Sequence, residues 1–161
     1  MIGKLKGLAM ALIMALSLSG CITMPDGSSQ PDYEMIEFSA VVGMSVIVNE
    51  TDISDNKVIT AYEALEATEM TLQAMRDGGE VVNFEMVDQM LADALPIEYK
   101  ALGKQGSKLI RSRVALYAQN SDTLDKVEQI IAENELTIQI TQSVIAGMKA
   151  SIEPKYLTIT Q

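Results

Sequence analysis

Glu63, Glu66 and Glu69 stand three apart, a spacing that sets three carboxylates along one side of a helix, where they could exchange a proton or grip a hard cation. Asp52, Ser54, Asn56 and Glu63 form a second oxygen-rich pattern, falling at positions 1, 3, 5 and 12 of an EF-hand-like calcium loop. Each chemistry lacks a part. The calcium loop requires glycine at its sixth position for a sharp turn, and Lys57 occupies it; Ser54 and Asp55 read more simply as the cap of the helix that follows. The glutamates have no histidine or nearby base to separate an acid role from a base role, so a solvated acidic face is the plainer expectation. Histidine is absent from the chain and Cys21 is its only cysteine. Ser-His-Asp and Cys-His catalysis, zincin-type sites, internal disulfides and cysteine-based metal centres are thereby excluded, and no catalytic, metal or cofactor residue is assigned.

Lys100, Lys104, Lys108 and Arg111 are spaced to line one face of a helix, with Arg113 beside it, and they form the candidate partner surface. The charge around them is uneven. Residues 22–98 hold 16 acids and 2 bases, whereas residues 99–161 hold 6 acids and 8 bases. The stripe could lie against the acidic first half, an internal use; alternatively it could meet lipid headgroups or an acidic partner. Nucleic acid is not an expected partner, because 22 acids against 12 bases make a surface that on balance repels phosphate.

The elements that would position these residues are helical. Over 34–49, Phe38, Ala40, Val42, Met44, Val46 and Val48 alternate as in a strand, yet the run is also long enough for a buried helix. Helix is the expectation, since no other segment carries a clean period of two for a strand to pair with. Residues 57–77 place Val58, Ala61, Leu65, Thr68, Leu72 and Met75 on one helical stripe, stopped by Gly78-Gly79. Asn83 is placed to cap a short helix through Leu95 with Val87, Met90, Leu91 and Ala94 inward, and Pro96 marks a break. The segment 96–118 carries Leu102, Leu109 and Leu116 at sevens, weakened by Gly103 and Gly106. Asn120-Ser121-Asp122 interrupts and recaps. The last helix, 123–152, has Val127, Ile131, Asn134, Ile138, Thr141, Ile145, Met148 and Ile152 at steps of four and three, and Pro154 is expected to end it.

With 48% apolar residues the chain can bury a core, and the expected fold is one all-α bundle of about five helices over 35–153, with a C-terminal tail over 154–161. Asn134 and Thr141 interrupt the apolar seam of the last helix, either to set register or oligomer state or because they sit at a partly wet edge. Eight methionines follow the first 20 residues; core filling is the simpler use, and a Met-lined groove for partner helices is the other.

The N-terminus carries the most specific pattern. Lys4 and Lys6 precede a run of apolar residues over 8–18, too short to span a bilayer but suited to a signal core, and Leu18-Ser19-Gly20-Cys21 follows. This tetrapeptide with its flanks resembles the lipobox of bacterial lipoproteins. The resemblance implies cleavage of the signal peptide, residues 1–20, and acylation of Cys21. Several acyl chains would then hold the mature chain on a membrane. Ile22, standing where an inner-membrane retention signal would carry Asp, further implies the outer membrane in a Gram-negative host. Residues 21–34, rich in turn formers, are expected to form a flexible tether reaching roughly 20 Å.

The expected function is therefore a non-enzymatic interaction domain displayed in the cell envelope, binding protein or associating with itself. A small-molecule or cation binder is the alternative. From Phe38 to Ile152 the order of helices also resembles small uncharacterised helical proteins of phages and prophages, which implies a virus-encoded lipoprotein that alters the envelope or excludes competing phages.

Overall fold

Ile36, Ala40, Met44 and Val48 recur at every fourth residue and are all buried, and the segment carrying them is helix α1, Tyr33–Glu50. The alternation of apolar residues in this stretch is not a strand's: Phe38 is 53% exposed while Ala40 is buried. Asp32 starts the helix by accepting the Met35 N–H on its carboxylate at 2.9 Å.

In the computed structural model, residues 21–23, 25, 29–50, 54–118 and 126–161 are described. They form an all-α bundle of five helices preceded by a short β-hairpin. The signal peptide expected over residues 1–20 and the interruption expected at Asn120-Ser121-Asp122 both fall outside the described residues.

Helix α2, Asp55–Asp77, buries Val58, Ala61, Leu65, Thr68 and Leu72, the stripe its spacing predicts. Ser54 stands at the N-cap in extended conformation, but its hydroxyl makes no capping bond; only its carbonyl accepts, from the N–H groups of Lys57 and Val58. At the other end, Glu80 N–H bonds to the Met75 carbonyl at 2.9 Å and Gly79 N–H to that of Arg76 at 3.1 Å. This closure puts Gly79 at φ +70°, which costs glycine little and a side-chain-bearing residue more. Helix α3, Phe84–Ala94, is capped by Asn83, whose side chain accepts from Met86 N–H at 2.9 Å. After Pro96, a 3₁₀ turn at Ile97–Tyr99 leads into α4, Lys100–Ala118.

Helix α5, Lys126–Thr160, is the central strut and packs on α1, α2 and α4, while α3 bridges α2 and α4. Tyr33 bonds to Gln139 and the start of α1 lies beside the middle of α5, so these two helices run in the same direction. Their backbones meet at Gly147, where an added Cβ would fall 2.5 Å from both Ala40 Cβ and the Glu37 carbonyl oxygen. Gly103 and Gly106 serve α4 in the same way. A Cβ on Gly103 would reach the Leu91 carbonyl at 3.3 Å, and one on Gly106 would reach Met148 Sδ at 3.3 Å. The glycines that weaken this segment as an isolated helix let it lie close to its neighbours.

Two expectations are corrected. Pro154 lies inside α5 rather than ending it, and residues 154–160 are helix, not a tail. Proline removes one backbone hydrogen bond there, and the packing of Tyr156 and Ile159 against the core offsets the loss. The segment 21–34 is likewise not a free tether. Cys21–Thr23 (β1) and Ser29–Pro31 (β2) pair antiparallel, Cys21 opposite Pro31, which returns the chain to within two residues of α1.

Candidate functional site

Helix α4 carries five bases and no acid in a chain where acids outnumber bases 22 to 12. At 100° per residue, positions 100, 104, 108 and 111 fall within a quarter turn of one another, and position 113 falls on the opposite side. The structure follows this geometry: Lys100, Lys104, Lys108 and Arg111 are exposed, while Arg113 is 1% exposed. Arg113 is thus not beside the stripe but beneath it.

Arg111 is partly turned inward, pairing with Asp88 of α3 while its guanidinium lies 5.4 Å from the centre of the Phe84 ring. Among the described residues, an internal use of the stripe is realised at Arg111 alone. Lys100, Lys104 and Lys108 make no ion pair with any described residue. Three other bases find acids on distant elements, Lys57 with Glu98, Arg76 with Glu135 and Lys149 with Glu69, while Lys155 pairs with no described acid. The three free lysines form a line about 12 Å long. Strand β2 touches α4, and Cys21 pairs opposite β2's last residue, so the cysteine's backbone lies near this helix.

The acidic patterns do not assemble into a site. Glu63 and Glu66 are exposed and Glu69 is engaged by Lys149 at 2.9 Å. Asn56 and Glu63 are seven residues apart in one continuous helix, about 10 Å along its axis, too far to share a cation; Asp52 lies outside the described residues. Among the described residues no group of three or more His, Cys, Asp or Glu is arranged to hold a metal ion.

Asn134 acts within the chain. Its side chain accepts the Val82 N–H at 2.7 Å and donates to the Glu80 carbonyl at 3.3 Å, pinning the loop between α2 and α3 to α5. Thr141 is fully buried and donates to the Thr137 carbonyl at 2.6 Å. Methionine use is divided: Met44 and Met148 fill the core, while Met70 is 69% exposed. The side chains of Met24, Leu116, Val127 and Ile131 lie outside the described residues.

One cluster escaped the sequence. Tyr62 of α2 and Tyr156 of α5 stack with ring centres 4.2 Å apart, and Lys149 Nζ sits 5.6 Å from the Tyr62 ring centre while bonding to Glu69. The signal was hidden because Tyr156 lies past Pro154, where a helix is expected to have stopped. Burial opposes the Lys149 charge, but the hydrogen bond and negative charge of Glu69, with Tyr62 and Glu66 behind it, outweigh burial and raise its pKa. Burial and then the Glu153 carboxylate raise that of Tyr62. Both groups hold their protons longer folded than unfolded, so their contribution is full below about pH 10 and lost as pH rises through the folded values. Melting temperature is expected to fall above about pH 10, and less steeply in Tyr62→Phe. Parallel curves for the two proteins would exclude this cause.

Between α1 and α5, Val41, Ser45, Val48 and Asn49 face Ala150, Ser151, Pro154 and Lys155 across a half-open crevice of about 530 Å³. Among the described residues Lys155 is its only ionisable lining residue, so these offer no acid–base pair. No protein-family model, curated protein or solved structure matches the chain.

Proposed function

We propose that this chain is a lipoprotein of the cell envelope, held on its membrane through acylated Cys21, whose helical bundle is a non-enzymatic interaction domain. The observation that carries the reading is Leu18-Ser19-Gly20-Cys21, ending in the only cysteine and placed behind a charged start and an apolar run. A body with no histidine, and a helix whose exposed lysines have no acid partner among the described residues, are features suited to contact rather than catalysis. No helix of the described residues is long and apolar enough to cross a membrane, so an acyl anchor supplies an attachment that those helices do not. The narrower form of the reading, a phage- or prophage-encoded protein that alters the envelope or excludes other phages, rests on the order of helices.

Mass spectrometry of the chain extracted from membranes tests the anchor. The first peptide is expected to begin at Cys21 with added acyl mass, and Cys21→Ser is expected to move the protein into the soluble fraction. An intact Met1, or an unacylated Cys21 in the soluble fraction, would overturn the proposal.

A further inference from the structure

Apart from Arg111, the bases on the exposed face of α4 form no ion pair among the described residues. Lysines four apart on a helix repel one another, and a chain with ten surplus acids offers many partners that could relieve the repulsion. Lys57, Arg76, Arg111 and Lys149 each take one. Lys100, Lys104 and Lys108 take none among the described residues, and α4 brings no acid of its own. We propose that Lys100, Lys104 and Lys108 meet the anionic headgroups of the membrane on which the chain is anchored, laying α4 along the bilayer surface. This rests on the lipoprotein reading above.

Two further observations favour a lipid surface as the occupant. Strand β2 touches α4, and Cys21 is paired with Pro31 at the end of that strand, so an anchor at Cys21 would tie the bilayer close to this helix rather than at the end of a long tether. On the other helices acids outnumber bases. Helix α1 bears three acids and no base, α3 likewise, α2 five acids against two bases, and α5 four acids against three bases. Within the roughly 8 Å over which surface charges act at physiological salt, a strongly acidic body can approach an anionic bilayer only through a face where bases prevail, and α4 is that face.

The test uses the acylated protein purified from membranes and reconstituted into two kinds of vesicle, neutral phosphatidylcholine alone and the same lipid with phosphatidylglycerol. Amine-reactive labelling is read by mass spectrometry, with Lys57 and Lys155 as internal references. Lys100, Lys104 and Lys108 are expected to label about fivefold more slowly on the anionic vesicles, the factor that corresponds to one headgroup contact per lysine, and salt is expected to erase the difference. Equal labelling on both vesicles, in a chain that floats with both, would overturn the lipid-facing assignment and leave the anchor intact. Protection in native membranes but not on anionic vesicles would assign the face to an acidic protein instead, and also overturns it. A chain that floats with neither vesicle and lacks acyl mass would show that the anchor reading itself fails, and this inference with it.

Discussion

Gly147→Ala is expected to lower stability by about 2 kcal/mol and the melting temperature by roughly 6 °C. On an isolated helix the same change would gain up to about 1 kcal/mol, because alanine restricts the unfolded chain and favours helix. Position 147 reverses the sign. The new methyl group would lie 2.5 Å from Ala40 Cβ and equally close to the Glu37 carbonyl oxygen, and 3.1 Å from the Val41 nitrogen. Two of these atoms belong to the backbone and cannot rotate away, so α1 and α5 must separate along their shared seam. Forcing an extra carbon into a filled core costs about 1 to 3 kcal/mol, here at the upper end, which outweighs the gain in helix propensity. Ala40→Gly in the same chain relieves one contact and leaves the Glu37 oxygen in place, so it should restore part of the loss. Thermal unfolding followed by circular dichroism decides the matter; a melting temperature unchanged or raised in Gly147→Ala would refute the close approach of these helices.

The second large effect belongs to α3. This helix of 11 residues buries only Val87 and Leu91 fully, so its attachment rests on few side chains. Leu91 is 1% exposed and lies where α4 comes nearest, its Cδ1 3.8 Å from the Cβ position of Gly106 and its carbonyl oxygen 3.3 Å from that of Gly103. Leu91→Ala should cost about 3 kcal/mol, combining lost burial with a cavity that two glycine-bearing turns of α4 have no side chains to fill. Because so short a helix is marginal without its packing, α3 should open before the rest of the bundle. Hydrogen exchange would then show amides over 84–94 losing protection while those of α5 keep most of theirs. Protection retained over 84–94 would mean that α3 is held by something other than Leu91.

Most of the helices were legible because burial and spacing agree along them. In α2 the stripe from Val58 to Leu72 predicts its own buried face, Gly78-Gly79 its end, and Asn83 the start of α3, since these are local matters of side-chain period, cap chemistry and backbone freedom. In α1 the same local evidence was divided, because apolar residues at every second position also fall at every fourth, and the exposure of Phe38 separates the readings. The position of Arg113 was available from the sequence as well, by counting its angle round the helix from Arg111.

The sequence by itself therefore determined the helices, the lack of any histidine- or cysteine-pair chemistry, and a basic stripe on an acidic chain. Tertiary structure alone decided which charges find partners. Ion pairs such as Lys149 with Glu69 and Arg76 with Glu135 join residues 80 and 59 positions apart, and no local period encodes such distances. It also decided that Gly147 and Gly103 are contact points rather than weaknesses, that α5 continues past Pro154, and that the segment after Cys21 folds back as a hairpin. In each case a local preference of about 1 to 3 kcal/mol was outweighed by packing that depends on what another part of the chain brings alongside.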